Sequence, residues 1–124
     1  MSAPFIVISK SQVKPGKAED YAAACEQLFA EVEENEPRLL AFNQYETDDG
    51  SSVVIQVHPD AESFEYHLKL FGEKVNKAIE FLDVDGVEIY GPPTPMLQEI
   101  HDIPDMSVTV HPLHTHGFTR LQGA

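Results

Sequence analysis

His67 stands three residues after Phe64 and four before Phe71. On a helix those offsets place all three on one face or its margin. A neutral imidazole among apolar side chains can take or give a proton near neutral pH, which makes His67 the candidate catalytic base. The competing reading is a core histidine bonded to a backbone carbonyl. Asn43 and Tyr45 lie two residues apart, so on a strand they point the same way. An amide and a phenol aimed into an apolar pocket would orient a substrate or stabilise a developing oxyanion, with Phe64 and Phe71 as its apolar walls. The other reading puts Asn43 and Tyr45 on the opposite sheet face, bonding across an interface between copies of the chain. The sequence does not say which face meets the helices.

His111, His114 and His116 form a His-x-x-His-x-His run near the C-terminus. In an extended segment His114 and His116 would share a side and chelate a divalent metal, with His58 or a carboxylate completing the set. Pro112 and Gly117 interrupt that run, and no helix fixes ligand geometry. The main expectation is therefore no native metal site, with these three as the weaker alternative. Cys25 falls on an apolar helix stripe with no basic neighbour, so it reads as a packing residue rather than a nucleophile. Gly-rich phosphate loops and Asp-x-Asp-x-Asp calcium loops do not occur, and no cofactor is expected.

These residues need elements to position them. Phe5 to Val13 is rich in β-branched residues and ends at Lys14-Pro15-Gly16, so it reads as a strand. Tyr21, Ala24, Cys25, Leu28, Phe29 and Val32 follow helical spacing, and the helix should stop near Asn35 because Pro37 disfavours helix at Glu36. Leu39 to Thr47 and Ser52 to His58 flank Asp48-Asp49-Gly50-Ser51 and read as a hairpin. Asp60 is placed to cap a second helix carrying Phe64, Leu68, Phe71, Val75, Ile79 and Leu82, with Gly72 marking a kink or break. Val84 to Tyr90 reads as a fourth strand. The order β-α-β-β-α-β is a ferredoxin-like α+β sandwich over residues 1–94. Residues 95–124 are extra: a short amphipathic piece, Met96 to His101, then a strand-like stretch. Ser107 to Val110 is expected to pair with a sheet edge, in the same domain or, preferentially, exchanged onto a second subunit.

Composition narrows the partners. The 124 residues carry 8 Lys+Arg against 21 Asp+Glu, a formal charge of −13. That argues against nucleic acid and anionic lipid, both of which need concentrated positive charge. No apolar run approaches the ~20 residues of a membrane span. The opening Met1-Ser-Ala-Pro shows no signal-peptide pattern, and a single cysteine excludes an internal disulfide. A cytoplasmic small domain is expected. Phe5-Ile-Val-Ile8, Leu39-Leu-Ala-Phe42 and Val53-Val-Ile55 are apolar on both strand faces. Two helices cover one face only, so either a second copy of the sheet or the C-terminal 29 residues must cover the other.

Val13-Lys-Pro-Gly-Lys17, Asn35-Glu36-Pro37 and Asp60-Ala-Glu-Ser-Phe-Glu-Tyr-His67-Leu68 resemble the antibiotic biosynthesis monooxygenase-like family of the dimeric α+β barrel superfamily, over roughly residues 4 to 92. The resemblance implies a homodimer whose sheets pack face to face, with a pocket in each subunit between its sheet and its helices. It singles out His67, which stands where many relatives carry a histidine on helix two. It implies cofactor-independent oxidation of a small hydrophobic phenol or quinol, or a non-catalytic ligand-binding dimer of the same fold. This chain has no Trp, the pocket residue common in haem-degrading and polyphenol-oxidising relatives.

Overall fold

The computed structural model describes residues 3–92, 94–95, 107–112 and 116–120, the side chain of Val75 excepted. Its elements run β1 (Phe5–Val13), α1 (Ala18–Asn35), β2 (Ala41–Glu46), β3 (Ser51–His58), α2 (Ala61–Ile79), β4 (Leu82–Tyr90) and β5 (Val108–His111). The sheet order is β2-β3-β1-β4-β5. The first four strands are antiparallel to their neighbours, and β5 adds to β4 in parallel. This is the ferredoxin-like α+β arrangement expected from the element order, with one extra edge strand.

The helices lie on one side of the sheet. Period-two alternation sends Phe5, Val7, Ser11, Ser52, Gln56 and His58 inward, where all are buried. Ile6, Ile8, Val53, Ile55 and Val57 point to the other face, where they are half-buried in the single chain. One apolar cluster joins Phe5, Val7, Phe64, Ile89 and Val108; a second joins Leu28, Val32 and Phe71. The hairpin between β2 and β3 closes at Gly50, whose φ of 91° needs a residue without a Cβ. At the Lys10/Ser11 step of β1 the register with β4 shifts, so that Gly86 opposes Lys10 and Val84 opposes Ser11.

Two sequence expectations change. The apolar stripe of α2 does not continue to Leu82: the helix ends at Ile79, and Leu82 instead pairs with Val13 as the first residue of β4. Long-range strand pairing outweighs local periodicity there. Gly72 neither breaks nor ends α2, which runs unbroken through it. The C-terminal strand is expected to pair with a sheet edge, of its own domain or of a second subunit. It lies on the chain's own β4, with Val87 opposite Val108 and Ile89 opposite Val110, and Val108 buried in the core. Met96 to His101, Met106 and His114 fall outside the described residues. No helix among the described residues is long and apolar enough to cross a membrane.

Candidate functional site

A cavity of about 270 Å³ opens between the sheet and the helices. That is near the lower limit for sites that take small organic ligands, roughly 300–1,000 Å³. Phe29, Phe42, Phe64, Leu68 and Ile89 contribute to its apolar walls, and the solvent-exposed Asn76 lies along its boundary. His67 faces it from α2 and is 1% exposed.

The local sequence fixes His67 from two sides. Asp60 is the N-cap of α2 and accepts a bond from the Ser63 backbone N–H at 2.9 Å, starting the helix so that Phe64, His67 and Phe71 share its inner face. Glu36 caps the other end of the pairing. Its backbone N–H donates to the Val32 carbonyl at 3.0 Å, and Pro37 then ends α1. The Glu36 side chain is buried, and its Oε2 accepts a bond of 2.6 Å from His67 Nδ1. Arg38, two residues beyond, pairs with Asp60, tying the end of α1 to the start of α2. Lys74 and Glu31 make a second tie between the helices.

A carboxylate on Nδ1 fixes the tautomer: the proton sits on Nδ1, and the Nε2 lone pair is left to act. Nε2 has no hydrogen-bond partner among the described residues. Glu36 Oε1 is likewise buried without a partner. The core-histidine alternative, with a backbone carbonyl as partner, is not the arrangement observed.

His58 stands beside His67, ring centroids 6.0 Å apart. Burial, aided by the neighbouring His67, pushes its pKa down to about 3. A neutral ring has one donor and one acceptor. Nε2–H donates to Gln56 Oε1 at 2.9 Å, and Nδ1 accepts from the Ser63 hydroxyl at 2.8 Å. That bond orients the Gln56 amide, whose N–H groups have no side-chain partner among the described residues and which lines the cavity.

The structure brings Phe64 to the cavity wall with His67, whereas Phe71 backs the His67 ring at 5.8 Å from a neighbouring cluster. Asn43 and Tyr45 are not brought to them. Phe42 turns inward onto Phe29, ring centroids 4.3 Å apart, so the alternation sends Asn43 and Tyr45 to the face away from the helices. There they lie opposite Ile55 and Val53, and Tyr45 is 55% exposed. His111 is exposed on β5 and stacks on Tyr90 at 4.6 Å; His116 is also exposed, and His114 is outside the described residues. Among the described residues no three His, Cys, Asp or Glu side chains gather as a metal site would require. Cys25 lines the cavity with its thiol pKa raised by burial. Glu36 and Gln56 were not identified as site residues from sequence. The one signal for Glu36 was its place in Asn35-Glu36-Pro37, which reads locally as a helix end.

The model of the antibiotic biosynthesis monooxygenase family matches residues 4–83. The chain belongs to that family. Among solved structures, MupZ from Pseudomonas fluorescens is 18% identical, with 96% of each chain covered and a TM-score of 0.75. A conserved protein from Methanosarcina mazei Go1 is 24% identical over 70% of this chain and 90% of its own, at a TM-score of 0.63. An antibiotic biosynthesis monooxygenase is 22% identical over 73% of this chain and 99% of its own, at 0.60. These likenesses are of fold. The MupZ match covers 96% of this chain and so includes residues past β4, whereas the other two cover 70% and 73% of it. Among curated proteins, none matches this monooxygenase-family chain in sequence.

Proposed function

We propose that this family member oxidises a small hydrophobic phenol or quinol with dioxygen and no cofactor, using His67 as the base. The observation that carries the reading is the buried Glu36–His67 pair with Nε2 unspent on a ring that lines an apolar cavity. The phenol O–H gives its proton to His67 Nε2, and Glu36 holds the resulting imidazolium. In this reading the Gln56 amide donates to the phenolate oxygen. The electron-rich phenolate then reduces dioxygen: one oxygen atom replaces hydrogen on the ring, the other leaves as water, and the phenol becomes a quinone. The substrate supplies every electron, so no external reductant enters. Phe64, at the cavity wall, contacts the ring, and Phe71 supports His67 from behind.

The working unit in this reading is a cytoplasmic homodimer. Ile6, Ile8, Val53, Ile55 and Val57 form an apolar face of the kind isolated monomers avoid, with Asn43 and Tyr45 at its margin. This reading keeps the C-terminal segment with the same domain, which the pairing of β5 with the chain's own β4 supports. Sedimentation should give twice the 13.8 kDa chain mass.

The base is tested with 2-naphthol under anaerobic conditions. Bound to the wild-type protein below its solution pKa, it should show the naphtholate absorption band, and His67→Ala should bind it as the neutral naphthol. A neutral spectrum in both proteins overturns the role of His67. Naphtholate formation without oxygen consumption on admitting air, across a panel of phenols and quinols, would favour the ligand-binding alternative.

A further inference from the structure

The same cavity has a second polar wall, away from His67. Tyr21 on α1 and Ser52 on β3 both line it and are 3% and 2% exposed. Their hydroxyls lie 2.9 Å apart. Gln44 Nε2 donates to Ser52 Oγ at 3.2 Å. Two hydroxyls carry two protons, and the bond between them uses one. Gln44 adds a donor and no acceptor, so whichever hydroxyl donates to the other, one O–H is left without an oxygen or nitrogen acceptor among the described residues. The sulfur of Cys25, a weak acceptor, is the alternative within reach. Burial also pushes the Tyr21 hydroxyl pKa up to about 12, so the group stays a neutral donor. A buried O–H without a strong acceptor is costly unless something completes it.

Ser52 and Gln56 are four residues apart on the inner face of β3. At a rise of about 3.3 Å per residue, roughly 13 Å separates the two polar walls along the strand. Between them the lining is mostly apolar, with Val7, Val54 and Leu28, and Ser9, opposite Val54, is the polar exception.

Resting on the reading of His67 as a base for phenols, we infer that the Tyr21–Ser52 pair is a specificity subsite for an oxygen acceptor at the far end of an elongated ligand. The substrate class is then a two-ended molecule: an acidic hydroxyl at the His67 end, an apolar body, and a carbonyl or ether oxygen at the Tyr21 end. Phenols without that distal acceptor fit the cavity but leave the O–H uncompleted, and they bind less tightly for that reason.

The test compares 6-acetyl-2-naphthol with 6-isopropyl-2-naphthol, close in shape and differing in the distal carbonyl, by calorimetric titration of the full-length protein. The wild type should prefer the acetyl compound about five- to tenfold, the worth of one buried neutral hydrogen bond. Tyr21→Phe and Ser52→Ala singly should keep most of that preference, because each leaves one free hydroxyl. The double variant Tyr21→Phe, Ser52→Ala should lose it. If circular dichroism shows the double variant unfolded, the infrared carbonyl band of the acetyl compound bound to the wild type decides: a band shifted below its position in aprotic solvent supports the subsite, and an unshifted band overturns it. Equal wild-type affinities for the two compounds, or a preference that survives in a folded double variant, overturn the subsite and leave the His67 reading standing. A preference that behaves as expected while the bound naphthol stays neutral supports the subsite and removes the base. No binding of either compound overturns the phenol class on which both rest.

Discussion

His58 is wholly buried and neutral, so its signature should appear in the stability of the protein on mild acidification. Its folded pKa is about 3, against an ordinary value of 6.5. On lowering pH the unfolded chain therefore takes up the proton first. The stability this neutral ring contributes is fully present above pH ~6.5 and is lost as pH falls toward the folded value. Each pH unit inside that window removes about 1.4 kcal/mol, so going from about pH 7 to pH 5 removes roughly 2 kcal/mol through this one group. The causes are burial first and the adjacent His67 second, with Arg38 adding to them and Asp60 opposing. Comparing wild type with His58→Gln isolates the effect, because the other titrating groups are common to both. Urea unfolding at the two pH values and one fixed protein concentration is the assay. The wild type should lose about 2 kcal/mol more than the variant, whatever stability offset the variant has at neutral pH. Equal losses would mean that the fold accommodates a charged His58 without penalty, and the neutral-ring account of Gln56 orientation would fall with it.

Two further outcomes are expected. Glu36→Ala strips the acceptor from buried His67 Nδ1 and should cost about 3 kcal/mol or more in urea unfolding, whereas Glu36→Gln, which keeps an acceptor oxygen, should cost clearly less; equal losses would show that the 2.6 Å bond contributes little beyond shape. Gly91→Ala would place a Cβ 2.8 Å from Cε2 of the buried Phe5 ring, so a loss of about 1–3 kcal/mol is expected, and an unchanged melting temperature would show that the Phe5 cluster yields freely.

The order of elements was legible because each announces itself locally: the spacing of Tyr21, Cys25, Leu28 and Val32, the cap at Asp60, the turn at Gly50. What escaped sequence reasoning depends on contacts between elements. Leu82 continues the helical spacing of Phe64, Leu68 and Phe71, and only its pairing with Val13 makes it a strand residue. The inward face of β2 was undecidable because both of its faces carry large side chains; the packing of Phe42 on Phe29 decides it. Glu36 and His67 are 31 positions apart, as are Tyr21 and Ser52, and no periodicity links either pair. The fold was therefore more legible than the candidate site, of which the sequence offered His67 and its aromatic neighbours but not Glu36 or Gln56.

The two neighbouring histidines are held in different ways, and under the proposed function only one of them is left free to act. His58 has both ring nitrogens satisfied, by Gln56 and Ser63, and its burial keeps it neutral. It has no spare lone pair with which to act. His67 is as deeply buried, yet it leaves Nε2 without a partner among the described residues and leans on a carboxylate that has itself one oxygen unpaired. Leaving Glu36 Oε1 buried and unpaired costs about 1–3 kcal/mol. Well-packed apolar residues in place of such a pair would often leave a fold as stable or more so. A sequence selected for stability alone has no reason to set Glu36 and His67 against each other beside an apolar cavity. The arrangement makes physical sense if the unsatisfied state is temporary, ending when a ligand hydroxyl reaches Nε2. On that account ligand binding should stabilise the fold by more than it does in His67→Phe, a variant that fills the same space and presents no lone pair.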